Sequence, residues 1–334
     1  MDLLLNSDEQ GVVDATASYL AGSMPVARLH KENAAGLLPE QRSALAELGW
    51  FGLPIDATAG GHGMTVVEEM LVMHEAGRYL APVETLAICL ATRVAAAANK
   101  RELVDSLVAG EVSVAIAPGA GTETRIRVLG AARPALLLRF DGDEARLEAL
   151  TPESMKLVPC LDKSTPMAWV SRGDRETVAT APAEPVLRDA RLLSAAMQVG
   201  AAEAVTDMIV EYARIRETFG RPIGSYQAVR HPCADMAVRA HVARAQLYLA
   251  AVCVRDGRPD AELQVNAAKL MSDHAAIENT EANIQLHGGI AVTDEHDAHL
   301  FLKRANTLWR CFGHCSLLKD ILAAQPLNED CAAA

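Results

Sequence analysis

The sequence predicts an α+β fold in three parts: an N-terminal helical domain over 1–109, a small antiparallel β-domain over 110–186 and a C-terminal four-helix bundle over 187–334. Three observations predict it. Half of the residues are hydrophobic yet only 4% are aromatic, which favours packed helices over an all-β sandwich. Apolar residues recur at helical spacing in both flanks. The middle instead carries short β-prone runs between turns.

In the first part, Ser7-Asp8-Glu9-Gln10 reads as an N-cap with an acidic first turn, followed by Val12, Val13, Ala15, Tyr19 and Leu20 on one face. Pro39-Glu40 opens a second helix with Leu45, Leu48 and Trp50. After Gly52-Leu53-Pro54 and a Gly-rich turn at Ala59–Gly63, helices resume over Thr65–Leu80 and Val83–Asn99. In the middle part, Val112–Ile116, Ala135–Phe140, Ala145–Leu150 and Met155–Val158 read as strands, and Asp141-Gly142 is a hairpin signal. From Leu187 the helical period returns: Leu192, Ala195, Ala196, Val199, Val205, Met208, Ile209 and Tyr212 share a face. Further helices are expected over about 226–255, 261–287 and 315–324. Gly288-Gly289 stops the third as glycine does at C′. The tail Cys331–Ala334 is expected to fray.

Bulk properties exclude several functions. The net charge is −12, and no basic stripe with interleaved aromatics appears, so nucleic acid is not an expected partner. No apolar run reaches membrane-spanning length, and Met1–Leu5 is short and acidic. A cytoplasmic protein is expected. Seven scattered Cys argue against a disulfide framework. Cys311, His314 and Cys315 cluster, but no second ligand group follows, so no metal is expected.

The most informative residues are Arg216-Glu217-Thr218-Phe219-Gly220-Arg221-Pro222-Ile223, then Tyr226-Gln227, then Gln285-Leu286-His287-Gly288-Gly289. Each group falls at the end of a helical run. Arg216 can pair with a pyrophosphate oxygen, Thr218 offers a hydroxyl, Phe219 can pack on a ring system, and the two glycines allow close backbone approach. Taken singly, Arg216 and Gln227 could merely cap helices, and the glycines could merely end one.

As an ordered set these residues resemble the acyl-CoA dehydrogenases. So do Leu48-Gly49-Trp50-Phe51-Gly52-Leu53, Gly60-Gly61-His62-Gly63-Met64, and Glu75-Ala76-Gly77-Arg78 ahead of Pro82. The resemblance covers nearly the whole chain and is weakest in the β-domain. It implies α,β-dehydrogenation of an acyl-CoA thioester with FAD as cofactor and electrons passed to an electron-transfer flavoprotein. It also implies that Arg216, Thr218, Phe219, Gln227, Gln285, Gly288 and Gly289 hold the adenosine-diphosphate arm of a neighbouring subunit's FAD.

The catalytic Glu of the family has no counterpart. Its two known places match Phe312, directly before Gly313, and Ala190, directly before Arg191. A positioned general base contributes roughly 10²–10⁴ in rate. The family's flavin-ring run is reduced to Ala115–Thr122, with no carboxylate before Glu123. Trp169-Val170-Ser171 is a degenerate version of the segment flanking flavin N5. His314-Cys315-Ser316 replaces a Thr-x-Gln contact.

The combination resembles the short subunit of heteromeric (α2β2) acyl-CoA dehydrogenases of bacterial steroid side-chain degradation, whose longer homologous partner carries the Glu. Two alternatives stay open. One is a homo-oligomeric enzyme with a displaced base, Asp189 or Glu295; the other is a catalytically silent scaffold. Arg191 is a candidate for substrate or carboxylate steering. His287 could touch FAD but reads first as a helix C-terminal cation favoured by the dipole, Lys303 and Arg304 as a solvated face or subunit contact, and Trp309 as interface or core packing.

Overall fold

A computed structural model describes residues 4–31, 36–119, 124–173 and 175–324. The expectations for Met1–Leu3, for Ala120–Thr122 and for the tail Cys331–Ala334 lie outside the described residues.

Five helices lead: α1 (Ser7–Ser23), α2 (Pro39–Glu47), α3 (Val66–Arg78), α4 (Glu84–Ala97) and α5 (Arg101–Val108). The first cap is Asn6, one residue earlier than expected. Its Oδ1 accepts from Asp8 N and Glu9 N at 2.9 Å, and Glu9 Oε2 accepts from Asn6 N at 2.8 Å. That reciprocal box needs the acid three residues after the cap, and only Asn6 has Glu9 there. Trp50 lies beyond α2, in a short 3₁₀ turn over Trp50–Gly52. The α5 segment, not singled out by the sequence, buries Val104 and Leu107.

Seven strands follow: β1 (Val114–Ala117), β2 (Arg125–Leu129), β3 (Leu136–Asp141), β4 (Glu144–Ala149), β5 (Met155–Val158), β6 (Met167–Ser171) and β7 (Thr177–Pro182). They form one sheet in the order β5-β6-β2-β1-β3-β4-β7. Asp141-Gly142 closes the β3–β4 hairpin, with Gly142 at φ 58°. The sheet is mostly antiparallel, but β1 and β3 run parallel, Val114 opposite Leu136. The expected antiparallel domain thus holds one parallel pair. β1 is buried at all four positions, as suits a central strand covered on both faces.

The C-terminal helices are α6 (Ala183–Ile215), α7 (Gln227–Arg255), α8 (Ala261–His287), α9 (Ala298–Trp309) and α10 (Cys315–Ala323). Between α6 and α7 a two-residue ladder pairs β8 (Glu217–Thr218) with β9 (Arg221–Pro222). Helix α6 runs through the middle, packed on α8 and α3, and is buried from Asp189 to Ala202. Gly77 on α3 and Gly200 on α6 let these helices touch backbone to backbone. A Cβ on Gly77 would strike Met197 O, and one on Gly200 would strike His74 O. No helix among the described residues is long and apolar enough to cross a membrane.

Two ionic groups lie inside. Lys269 Nζ donates to both oxygens of Asp273 at 2.6 Å, with side-chain exposures of 0% and 1%. Arg304, expected on a solvated face, is only 1% exposed. Its Nε donates to Asp162 Oδ2 at 2.6 Å, and its Nη groups reach Ala81 O and Ser164 Oγ at 2.5 Å. It thereby ties α9 to the loop before β6 and to the turn after α3. Trp309 is half-buried.

Candidate functional site

The bundle has two chemically distinct ends, and the helix register sets which residues meet at each. Arg191 bonds Glu262 and Asn266, Gln198 bonds Asp273, Thr206 bonds Asn279, and Tyr212 stacks on His287. Helices α6 and α8 therefore run side by side in the same direction. α7 runs against them, with Gln246 beside Gln264 and Arg239 beside Asn279.

At one end lies the place where the family's base is expected. Phe312 is 3% exposed and sits at φ 64°, followed by Gly313 at φ 121°. Its backbone N donates to Pro118 O at 3.1 Å, and its ring meets Phe140 edge-on at 6.3 Å. A hydrocarbon ring fills the space, and no carboxylate replaces it. Ala190 is fully buried.

Arg191, a candidate for the substrate, is committed within the chain. Nε donates to Phe312 O, and Nη1 to Glu262 Oε1 and Asn266 Oδ1, each at 2.9 Å. Burial pushes its pKa below the usual guanidinium value, and Glu262 opposes that shift. Its bond to a carbonyl makes it a brace for the Phe312 turn.

Neither displaced-base candidate reaches this place. Asp189 accepts from Arg93 Nε at 2.9 Å and from Arg188 Nε and Nη2 at 3.0 and 2.9 Å. It lines a separate cleft of about 630 Å³ with Pro54, Thr65 and Arg255. Two residues along a helix turn a side chain by about 200°, so Asp189 faces away from Arg191. Glu295 is exposed in the loop after α8, at the opposite end of the bundle.

That opposite end carries the residues expected to meet a dinucleotide. Arg216 caps α6 in an extended conformation and is exposed; its side chain has no hydrogen-bond partner among the described residues. Ile223 N donates to Arg216 O at 2.8 Å, folding the chain into the β8–β9 hairpin. Phe219 (φ 50°) and Gly220 (φ 77°) form its tip, a pair of positive φ angles suited to a two-residue hairpin turn. Phe219 is 95% exposed. Tyr226 Oη donates to Thr218 O at 3.0 Å, and the Arg221 guanidinium lies 4.0 Å from the Tyr226 ring centre. Gln227 is exposed at the start of α7, and Gln285 is exposed near the end of α8.

Gly288 ends α8 at φ 72°, ψ −150°, a conformation only glycine adopts without strain. A Cβ on Gly288 or Gly289 would meet nothing within 4 Å, so open space lies against that backbone. The one departure is His287. It is 6% exposed and stacks on Tyr212 at 4.4 Å between ring centres, with His296 at 4.6 Å. Burial lowers its pKa, so it is a neutral ring at neutral pH and not the expected cation. No spacing signal in the sequence marks this stack.

All seven motif residues thus share one end, exposed, while Arg191, Ala190 and Phe312 share the other, buried. At roughly 1.5 Å rise per residue, α6 carries Arg216 about 38 Å from Arg191. Cys315 Sγ lies 3.5 Å from His274 Nε2. Among the described residues no group of three or more His, Cys, Asp or Glu is arranged to hold a metal ion.

Two family models match the chain. "Acyl-CoA dehydrogenase, N-terminal domain" covers residues 6–111, and "Acyl-CoA dehydrogenase, C-terminal domain" covers residues 182–325. The chain is 34% identical over 275 residues to acyl-CoA dehydrogenase IpdE2 of Mycobacterium tuberculosis, covering 78% of each protein. It is 33% identical over 281 residues to acyl-CoA dehydrogenase FadE34 of the same organism; that match covers 79% of this chain but only 39% of FadE34. Among solved structures, the ChsE4-ChsE5 complex from Mycobacterium tuberculosis superposes with a TM-score of 0.82 at 22% identity, covering 98% of this chain and 100% of that one.

Proposed function

The chain belongs to the acyl-CoA dehydrogenase family, and from that premise we propose that it is the base-lacking subunit of a heteromeric acyl-CoA dehydrogenase. In this reading it lends FAD contacts to a longer homologous partner that carries the catalytic Glu. The single observation carrying the reading is that the two places where the family resemblance puts the Glu hold a buried Phe312 ring and a buried Ala190. The exposed dinucleotide motif lies about 38 Å along α6 from the Phe312 turn, farther than one extended dinucleotide reaches. Its residues therefore serve a pocket completed by another chain.

The residues present fit the adenosine-diphosphate arm of FAD. Arg216 offers an unpartnered guanidinium to the pyrophosphate, and Thr218 a hydroxyl. The open backbone at Gly288 and Gly289 admits a ribose or phosphate; Gln285 is exposed one turn earlier on α8, and Gln227 is exposed at the same end of the bundle. Phe219, fully presented at a stiff hairpin tip, packs against the cofactor or the partner. FAD held there would supply the acceptor for the hydride from the acyl β-carbon and a route for its electrons to an electron-transfer flavoprotein. Removal of the α-proton belongs to the partner, because Phe312 and Ala190 hold no proton acceptor and Asp189 is bound by two arginines facing another cleft. An α2β2 assembly with a bulky, steroid-derived acyl-CoA is the specific form proposed. The superposition on a two-component complex supports it at the level of fold.

Co-expression with the longer homologue tests this. The lone chain should purify without flavin and without activity towards acyl-CoA. The complex should bind fewer flavins than it has chains. A lone chain that is yellow and reduces an electron acceptor with an acyl-CoA refutes the proposal. A lone chain that binds the partner without raising its flavin content supports the scaffold instead.

A further inference from the structure

A crevice of about 230 Å³ opens between the sheet and α9. Arg127 of β2 and Met167 of β6 line it from the sheet, Cys160 closes one side, and α9 supplies Asn306, Thr307 and Arg310 at the spacing of one helix face. In the strand register Arg127 sits opposite Trp169, over whose ring Arg125 lies at 5.3 Å. Trp169 begins the segment that the family resemblance places beside flavin N5. By that resemblance, the crevice lies on the sheet face that a family member turns towards its own flavin ring.

Its chemistry does not suit a flavin ring. A volume of this size equals roughly eight waters, room for a small oxyanion. Arg127 and Arg310 both face it, and neither makes a hydrogen bond or ion pair with any described residue. No carboxylate lines it. Burial pushes the Cys160 thiol up, so it adds no negative charge. Arg310 is exposed, but Arg127 is half-buried and lacks the acid that the chain's more buried arginines have: Arg93 with Glu69, Arg139 with Glu148, Arg191 with Glu262, Arg304 with Asp162. Two unpaired guanidiniums converging on one crevice are conspicuous in a chain of net charge −12. An oxyanion between them would accept charge-assisted hydrogen bonds from both guanidiniums. Asn306 Nδ2 spends one N–H on Leu302 O, leaving the other for a ligand.

We propose that this crevice binds a small oxyanion of the phosphate or phosphomonoester class in the place of a second flavin. The site goes beyond the composite-cofactor reading and does not depend on it. Calorimetric titration of the protein, in complex with its partner where it needs one, tests it. The probes are inorganic phosphate and adenosine 3′,5′-bisphosphate at constant low ionic strength. Saturable binding of at least one is expected, weakened tenfold or more by Arg127→Met or Arg310→Met and abolished in the double variant. Arg310→Lys, which keeps the charge but loses the planar fork, should retain part of the affinity.

Similar affinities for both probes would identify a free oxyanion, and tenfold tighter nucleotide binding a nucleotide phosphate; either supports the site. No saturable binding of either probe, or binding that survives the double variant with its melting temperature unchanged, overturns it. Flavin content is measured in parallel. Flavin lost from the double variant would show that the crevice holds the cofactor and would overturn the proposal. Flavin in the lone chain that persists in the double variant would sink only the composite-cofactor reading.

Discussion

Replacing Arg304 by Met should be among the most damaging single changes in the bundle, and its cost should depend on pH. The guanidinium has 1% exposure and its partner Asp162 has 5%. Met removes the bond to Asp162 Oδ2 and leaves Ala81 O without its donor. Asp162 keeps Ser164 N at 3.0 Å, Ser164 Oγ at 2.5 Å and Thr165 Oγ1 at 2.7 Å, but no countercharge in direct contact. Breaking a buried pair from one side costs about 3–5 kcal/mol. In the native protein burial opposes ionisation of Asp162, yet Arg304 and the hydroxyl groups of Ser164 and Thr165 outweigh it and hold the carboxyl below its usual range. That contribution is present above the unfolded value of about 3.9 and lost as pH falls through the lower folded one. In the variant only the hydrogen bonds from Ser164 and Thr165 still oppose burial, so the folded value rises and the penalty grows as pH climbs above about 4.

The stability gap between the two proteins should therefore be widest at neutral pH and shrink towards pH 4. Urea unfolding followed by tryptophan fluorescence at several pH values reads it. The double variant Arg304→Met/Asp162→Asn should cost less than the two single changes added together. A gap that stays constant with pH, or a cost under about 1 kcal/mol, would refute the argument.

Other changes separate binding from folding. Arg216→Met removes an exposed, unpartnered side chain, so the chain's own stability should move by no more than about 0.5 kcal/mol. Flavin affinity of the complex should nonetheless fall tenfold or more, read from absorbance of the purified complex at graded FAD. Phe312→Glu exchanges a ring at 3% exposure for a buried carboxylate and should destabilise by roughly 3 kcal/mol or more without giving the lone chain dehydrogenase activity. Turnover of an acyl-CoA by that variant alone would contradict the assignment of the ring pocket. Gly200→Ala should unseat α3 from α6, because its Cβ would strike His74 O. A melting temperature close to native would show that the two helices can separate at little cost.

Local patterns carried far. The long helices ending at Arg216, Arg255 and His287 were legible from 3.6-residue periodicity and from glycine or a change of pattern at their ends. The hairpin at Asp141-Gly142 was legible because a two-residue turn writes its own signal. Strands β2, β6 and β7 escaped, as did α5 and α9. These runs are short, and their stability comes from partners far along the chain. The β1–β3 parallel pair escaped because strand direction is a property of the sheet and not of either segment. Arg304 read as a surface residue because a charge alone gives no sign of a buried acid 142 residues away.

By itself the sequence determined the family, the identity and order of the residues proposed to meet a dinucleotide, and the absence of a carboxylate at Phe312 and Ala190. These are matters of residue identity and short spacing, which one chain records directly. Only the tertiary structure decided that the dinucleotide set and the base position stand at opposite ends of α6, that Arg191 braces a carbonyl, and that Asp189 and Glu295 face elsewhere. Those are distances and directions set by which helices pack in parallel. They depend on burial and register between segments that the linear order does not bring together.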